Sequence, residues 1–297
     1  MERQLTNLVK SVGEIERIWS LEGGVSATVE GIEVISMSGE RKKLVLKKGK
    51  LGSEAIYQSV LMKEFQILSY LTNKKIPVPT PLLYDETGLL MEYIEHEKIN
   101  LFKNLNQYMN TIAKTLAEIH QINDFQAIHF FLLDYTNSLD FRLENPPQTM
   151  DYSLQEPRIR ETLRQNWQKK KENEKRLLHG DFWPGNLLWS KGKIVSIIDW
   201  EDAAIGDPLS DVANARLEIL WAFGKEAMFQ FTHYYQSYMP HLQYYSLPIW
   251  DLVAALRPAS KMDSWGLDNR TLERFKNLHR WFVNDAIRNI SKNISSL

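Results

Sequence analysis

Not one of the 297 residues is cysteine, which excludes disulfides, thiolate metal sites and a thiol nucleophile, and fits a reducing cytoplasm. No apolar run approaches the roughly 18 residues of a membrane span, so no membrane partner is expected. The first nineteen residues, MERQLTNLVKSVGEIERIW, carry charges throughout and lack the apolar core of a signal peptide, which again favours a cytoplasmic chain. Charge of one sign is missing too: 36 Lys and Arg nearly cancel 37 Asp and Glu. No global field therefore favours nucleic acid, and a charged ligand has to be met locally. Repeats and low-complexity segments are also absent. What is present is ordinary for a folded protein, 43% hydrophobic and 25% charged residues, in a length that suggests two domains or lobes.

Local patterns divide the chain unequally. EIERIWSL, VSATVEGIEVIS and KKLVLKKG are alternating or β-branched runs separated by EGG and SGE turn signals, and read as strands. A helix follows from an N-cap candidate, Ser53, to about Leu71. Three prolines in IPVPTP then force extended backbone, and GLLMEYI reads as a buried strand. Beyond it helical periodicity dominates: LNQYMNTIAKTLAEIH places Leu105, Met109, Ile112, Leu116 and Ile119 on one face, TLRQNWQKKKENEKR reads as a polar helix, and four further helices follow Asp211. Between these blocks RLLHG, NLLW and KIVSIIDW are too short for helices. The expectation is an α+β protein with a small β-rich N-terminal lobe, residues 1–95, and a larger, mainly helical lobe, residues 96–297.

Polar residues punctuate the apolar insert at a telling spacing. In LLHGDFWPGNLLW, Asp181 and Asn186 flank a Pro-Gly turn that lets both side chains point into one space, and Asp199 ends the apolar run IVSII. Two carboxylates and an amide oxygen are hard ligands, suited to magnesium with substrate phosphates rather than to zinc. In the small lobe, Glu64 falls in line with Val60, Ile67 and Leu71, which puts a carboxylate inside an apolar stripe. A buried carboxylate wants a cation, and Lys47 is the candidate.

The ordered set HGDFWPGN, IIDWE and GDPLSD resembles the aminoglycoside phosphotransferase and choline kinase-like family, whose catalytic loop is a variant of the protein kinase H-R-D-x-x-x-x-N. The resemblance covers about Leu21 to Asp211 and implies a two-lobed protein kinase-like fold. It implies that Asp181 is the catalytic base, that Asn186 and Asp199 hold Mg2+, and that Lys47, paired with Glu64, meets the phosphates of ATP or GTP. It makes His179 a support residue and gives Asp207 and Asp211 the task of capping a helix and bracing the loop. LEGGVSATVEGIEV would be the hairpin over the phosphates, with Ser26 as a donor, although it is not a full G-x-G-x-x-G. LLMEYI resembles the hinge, so backbone groups of Glu92 and Ile94 would meet adenine.

The resemblance implies a hydroxyl-bearing small molecule as acceptor: an aminoglycoside, choline or ethanolamine, homoserine or a sugar. No long activation segment separates IIDWE from GDPLSD, which disfavours a protein substrate. Trp221, Tyr234, Tyr235, Tyr238, Tyr244, Tyr245, Trp250, Trp265 and Trp281 are expected mostly in the core, with a cation–π box as the sharper alternative. Glu201, Asp202, Glu218, Asp251 and Asp263 are candidate contacts to a cationic acceptor or plain surface charges. Two rivals stay open, a catalytically weak nucleotide-binding module and a metal-dependent phosphoesterase. The sequence leaves the acceptor, the choice of ATP or GTP, and the oligomeric state undetermined.

Overall fold

Alternating apolar residues and tight turns give the N-terminal strands, and helical periodicity gives most of the rest. In the computed structural model of the chain, residues 8–21, 27–49, 54–97, 104–124, 128 and 131–295 are described. Ser26, Ser53 and the glycines Gly23 and Gly24 lie outside them. The chain falls into two units, Met1–Ile99 with Asn186–Glu201, and Asn100–Gly185 with Asp202–Leu297. Residues 186–201, which the sequence reading left in the larger lobe, group with the first unit because Ile197 donates its amide to Pro77 O at 2.7 Å and Glu97 donates to Trp189 O at 2.7 Å.

The first unit is built on an antiparallel sheet in the order β1-β2-β3-β5-β4, from β1 (Glu14–Ser20), β2 (Ala27–Ile35), β3 (Arg41–Gly49), β4 (Pro81–Asp85) and β5 (Gly88–Glu92). Ile32, Val34, Leu44, Leu46 and Leu90 pack with Leu8 and Val9 into its core. Helix α1 (Glu54–Thr72) buries Leu61, Ile67, Leu68 and Leu71, and with them Glu64. Farther along, β7 (Leu187–Ser190) and β8 (Lys193–Ile197) form a hairpin. Its turn residues Lys191 and Gly192 both take positive φ, +50° and +75°, the backbone that a two-residue hairpin loop requires.

The second unit packs α2 (Leu105–His120) on α6 (Lys225–Tyr238), and α5 (Leu209–Phe223) on α7 (Leu247–Ala255), which in turn meets α8 (Asn269–Ser295). Met109, Ile112, Leu116 and Ile119 are fully buried, as the stripe on α2 requires, and Leu105 is half-buried. Two elements depart from the sequence reading. The polar helix ends early: α4 (Glu156–Asn166) gives way to a short 3-10 turn, and residues 170–175 belong to no helix or strand. Trp167 is buried with its Nε1 donating to Asp140, and Lys171 and Asn173 donate their amides to Ser246 Oγ and Asp207 Oδ2 at 2.7 and 3.1 Å, so tertiary contacts win over helical propensity there. A helix, α3 (Tyr135–Glu144), also forms where the sequence showed no clear period.

Two short strands, β6 (Arg176–Leu178) and β9 (Ala204–Gly206), pair antiparallel inside this unit and carry the two ends of the chain that hold the loop at His179–Asp181. Of the nine aromatic residues that the sequence singled out, Trp221, Tyr235 and Trp250 are buried in the core, Trp265 is exposed and the other five are half-buried, so fewer of them are core than expected. Trp221 lies parallel to Phe275 with ring centroids 5.4 Å apart, and Trp250 meets the edge of Trp167 at 5.4 Å. Tyr234 and Tyr238 instead lace α6 to α2, their hydroxyls donating to Asn106 and Asn110 at 2.6 and 2.8 Å. Among the described residues no helix is long and apolar enough to cross a membrane.

Candidate active site

The candidate residues fall into two sets, one in each unit. The first set centres on Lys47, on the sheet between Val29 and Leu89. Only 6% of Lys47 is exposed, and its ammonium donates to Glu64 Oε2 and Asp199 Oδ1, each at 2.8 Å, with Glu201 Oε2 at 3.1 Å. Lys48 faces elsewhere and pairs with Glu30 at 2.8 Å. Burial by itself would depress the Lys47 ammonium, but the three carboxylates, Glu64 foremost, hold it well above its ordinary value. Burial pushes the Glu64 carboxyl up against the pull of Lys47. The second Glu64 oxygen accepts the Trp200 amide at 3.3 Å, which fixes the carboxylate between helix and loop.

Asp199 adopts φ +66°, a left-handed conformation that Asp tolerates better than most residues but that still stores about 1 kcal/mol or more. Asn186 is 6% exposed, and its carbonyl accepts the Ile198 amide at 3.0 Å, so the backbones on either side of the hairpin are tied next to both side chains. One ammonium against Glu64, Asp199 and Glu201 leaves a surplus of two negative charges when all are ionised. Such a surplus fits a divalent cation. Among the described residues no group of three His, Cys, Asp or Glu is arranged to hold a metal ion. Glu92 ends β5 with its amide donating to Thr80 O at 2.9 Å, which leaves no donor there for a base, and Ile94 O lies 3.0 Å from His96 Nδ1.

The second set surrounds Asp181. Gly180 takes φ +82°, and a Cβ there would fall on the carbonyl of Asp202, so only glycine fits between His179 and Asp181. His179 is fully buried, and its Nδ1 accepts the Asp181 amide at 3.2 Å while its ring meets the edge of Phe182. It supports the loop from below. Asp211 receives the amides of His179 and Gly180 at 2.7 and 2.9 Å, and His120 Nε2 at 3.3 Å. Burial opposes the Asp211 charge, yet His120 and the loop amides hold its carboxyl below the usual range. His120 is itself held by the Tyr235 hydroxyl at 2.6 Å, so a buried chain from α6 through α2 reaches the loop. Asp207 accepts the Leu209 amide at 2.9 Å and caps the start of α5.

Sequence reasoning missed two neighbours of Asp181, Arg257 and Asn214. Arg257, just past α7, donates from Nη2 to Asp181 Oδ1 at 2.8 Å and from Nη1 to Gly180 O at 2.5 Å. Asn214 Nδ2 lies 3.5 Å from the same Asp181 oxygen. Asp211, Asn214 and Glu218 stand three and four residues apart on α5, the spacing of one helix face, and that periodicity was the available signal. Half-buried Glu218 has its carboxyl pushed up to about 7 by burial first and then by the Asp181 charge, with Arg257 opposing. The other acidic candidates have partners: Asp251 is buried against Arg216 at 2.9 Å, and Asp263 meets Lys276 at 2.7 Å. Asp202 is exposed beside Arg257 at 3.7 Å.

The model of the phosphotransferase enzyme family matches residues 34–242. Acyl-CoA dehydrogenase family member 11 of Homo sapiens is 27% identical over 201 residues, 60% of this chain and 25% of that protein. The chain thus spans a quarter of the length of that relative. Hygromycin-B 4-O-kinase of Escherichia coli is 36% identical over 66 residues, 22% of this chain and 18% of that protein. Among solved structures, an aminoglycoside phosphotransferase with ADP and hygromycin B superposes with a TM-score of 0.65 at 16% identity, covering 97% of this chain and 98% of that one. Amicoumacin kinase with AMP-PNP, Ca2+ and its antibiotic gives 0.63 at 14% identity, covering 96% and 94%. These likenesses establish the kinase-like α+β fold. Because the family match runs from β2 to beyond α6 and takes in Lys47, Glu64, Asp181, Asn186 and Asp199, the chain belongs to the phosphotransferase enzyme family.

Proposed function

We propose that the protein is a small-molecule kinase that transfers the γ-phosphoryl group of ATP, or of GTP, to a hydroxyl group of a small metabolite or antibiotic. The observation that carries this reading is the buried Lys47 bound at once to Glu64, Asp199 and Glu201, an ammonium held ready for phosphate oxygens. Magnesium, when bound, would supply positive charge that offsets the charge of the phosphates, and Asp199 and Asn186 are the residues that would hold it. Lys47 gives up part of its contact with Asp199 to a phosphate, while Glu64 keeps it in place. Backbone groups around Glu92 and Ile94 face the base, the Glu92 carbonyl rather than its amide, since the amide is already spent on Thr80.

Asp181 orients the acceptor. As the acceptor oxygen bonds to the γ-phosphorus and the bond to the β-phosphate oxygen breaks, the hydroxyl proton passes to the Asp181 carboxylate. Little covalent work is needed beyond alignment, and a positioned base is typically worth about 10² to 10⁴ in rate. The phosphoesterase reading loses support from His179, whose ring is fully buried and whose Nδ1 already accepts the Asp181 amide.

An ATP-consumption screen with magnesium over amino sugars, amino alcohols and small sugars tests the proposal, with Asp181→Ala as the blank. Acceptor-dependent ADP release that the variant lacks supports a kinase. A protein that binds nucleotide yet releases ADP with no acceptor and no more than its blank is a binding module, and one that hydrolyses phosphate esters without ATP is a phosphoesterase.

A further inference from the structure

We infer that Arg257 is a positioning residue for the phosphoryl transfer, a guanidinium that holds the Asp181 carboxylate in its reactive orientation. The inference rests on the reading of Asp181 as the base. Arg257 grips two consecutive residues at once: Nη1 takes the Gly180 carbonyl at 2.5 Å and Nη2 takes Asp181 Oδ1 at 2.8 Å. A planar fork that fastens a main-chain oxygen and the neighbouring side-chain oxygen fixes both the peptide and the side-chain torsion between them. Lysine, a single point of charge, can reach one of these but not both in the same geometry.

Charge explains why such a grip is needed. Asp181 shares its surroundings with two further carboxylates, Asp202, which lies 3.7 Å from the same guanidinium nitrogen, and Glu218, whose charge interacts with that of Asp181. Without a cation among them, like-charge repulsion turns the Asp181 carboxylate away from its neighbours. Asn214 at 3.5 Å is too distant to hold it alone. Asp211 accepts two loop amides and His179 accepts a third, which secures the backbone of the loop, while Arg257 grips the Asp181 carboxylate itself.

The test uses magnesium-dependent ATP hydrolysis, with water as the acceptor, in the full chain and in Arg257→Lys, Arg257→Gln and Arg257→Ala, each checked by circular dichroism and thermal melting. Misaligning a catalytic group by about 1 Å removes on the order of a hundredfold in rate, so kcat falls about 10- to 100-fold while KM for the magnesium nucleotide stays within about twofold. Millimolar guanidinium restores part of the rate of Arg257→Ala and none to Asp181→Ala, a response that a purely structural residue does not give. Should Arg257→Ala fail to fold, the Arg257→Gln and Arg257→Lys pair carries the kcat and KM comparison. Turnover abolished by Asp181→Ala but unchanged in a folded Arg257 variant overturns the inference and leaves the kinase reading intact. Loss through KM alone, or a deficit that guanidinium does not relieve, overturns it as well. A wild-type chain with no magnesium-dependent turnover removes the base reading and, with it, the role of Arg257.

Discussion

Replacing Glu218 with glutamine isolates the electrostatics around Asp181 from its chemistry. The Glu218 carboxyl, ordinarily near 4.5, is pushed up to about 7, chiefly by burial and then by Asp181. A carboxyl whose folded value is raised binds more protons in the native than in the unfolded chain, so stability falls as pH rises from about 4.5 through about 7. The full difference, near 2.5 pH units at about 1.4 kcal/mol each, sets an upper limit of about 3 kcal/mol above that window. Because the side chain is only half-buried, about 1–2 kcal/mol is the working figure. Glutamine keeps the shape and removes the charge. Thermal melting is therefore expected to rise by about 3–6 °C for Glu218→Gln at about pH 8 and to stay within about 1 °C of wild type at about pH 5. An equal gain at both pH values, or none at the higher one, refutes the reasoning.

The buried ion pair and the loop supply three more expectations. Lys47→Met leaves Glu64 charged and enclosed, so unfolding stability drops by about 3–5 kcal/mol in urea titration, and adding Glu64→Leu recovers most of that loss. Gly180→Ala places a Cβ against the Asp202 carbonyl at positive φ, destabilising by about 1–3 kcal/mol and lowering kcat more than KM in steady-state assays. Asp211, whose carboxyl is held below the usual range, contributes stability above the ordinary carboxylate value that disappears as pH falls through its folded value; Asp211→Asn should melt earlier than wild type at neutral pH and lose that acid dependence.

Residues whose partners are announced by local periodicity could be read directly from the chain. Glu64 interrupts an apolar stripe at spacings of four, three and four, so a buried cation was required, and Lys47 stands there at 2.8 Å. The bracing role of Asp211 came from the family resemblance rather than from periodicity, and the residue accepts two loop amides. Arg257 had no such signal, because an arginine after an apolar helix reads as an ordinary basic C-terminus, and its partners are 76 and 77 residues away. The His120 to Tyr235 hydrogen bond, across 115 residues, was hidden in the same way. Segments 167–175 and 204–206 escaped for a different reason: each is too short or too polar to show a period, and tertiary hydrogen bonds decide its course.

Transfer of label from γ-labelled ATP to a small hydroxyl compound tests the central claim most directly. The account expects a phosphate ester that forms only with magnesium and is lost in Asp181→Asn, while that variant still binds magnesium nucleotide with wild-type affinity by calorimetry and Asp199→Ala does not. Label that reaches no acceptor and only water at the same rate in wild type and Asp181→Asn would contradict it.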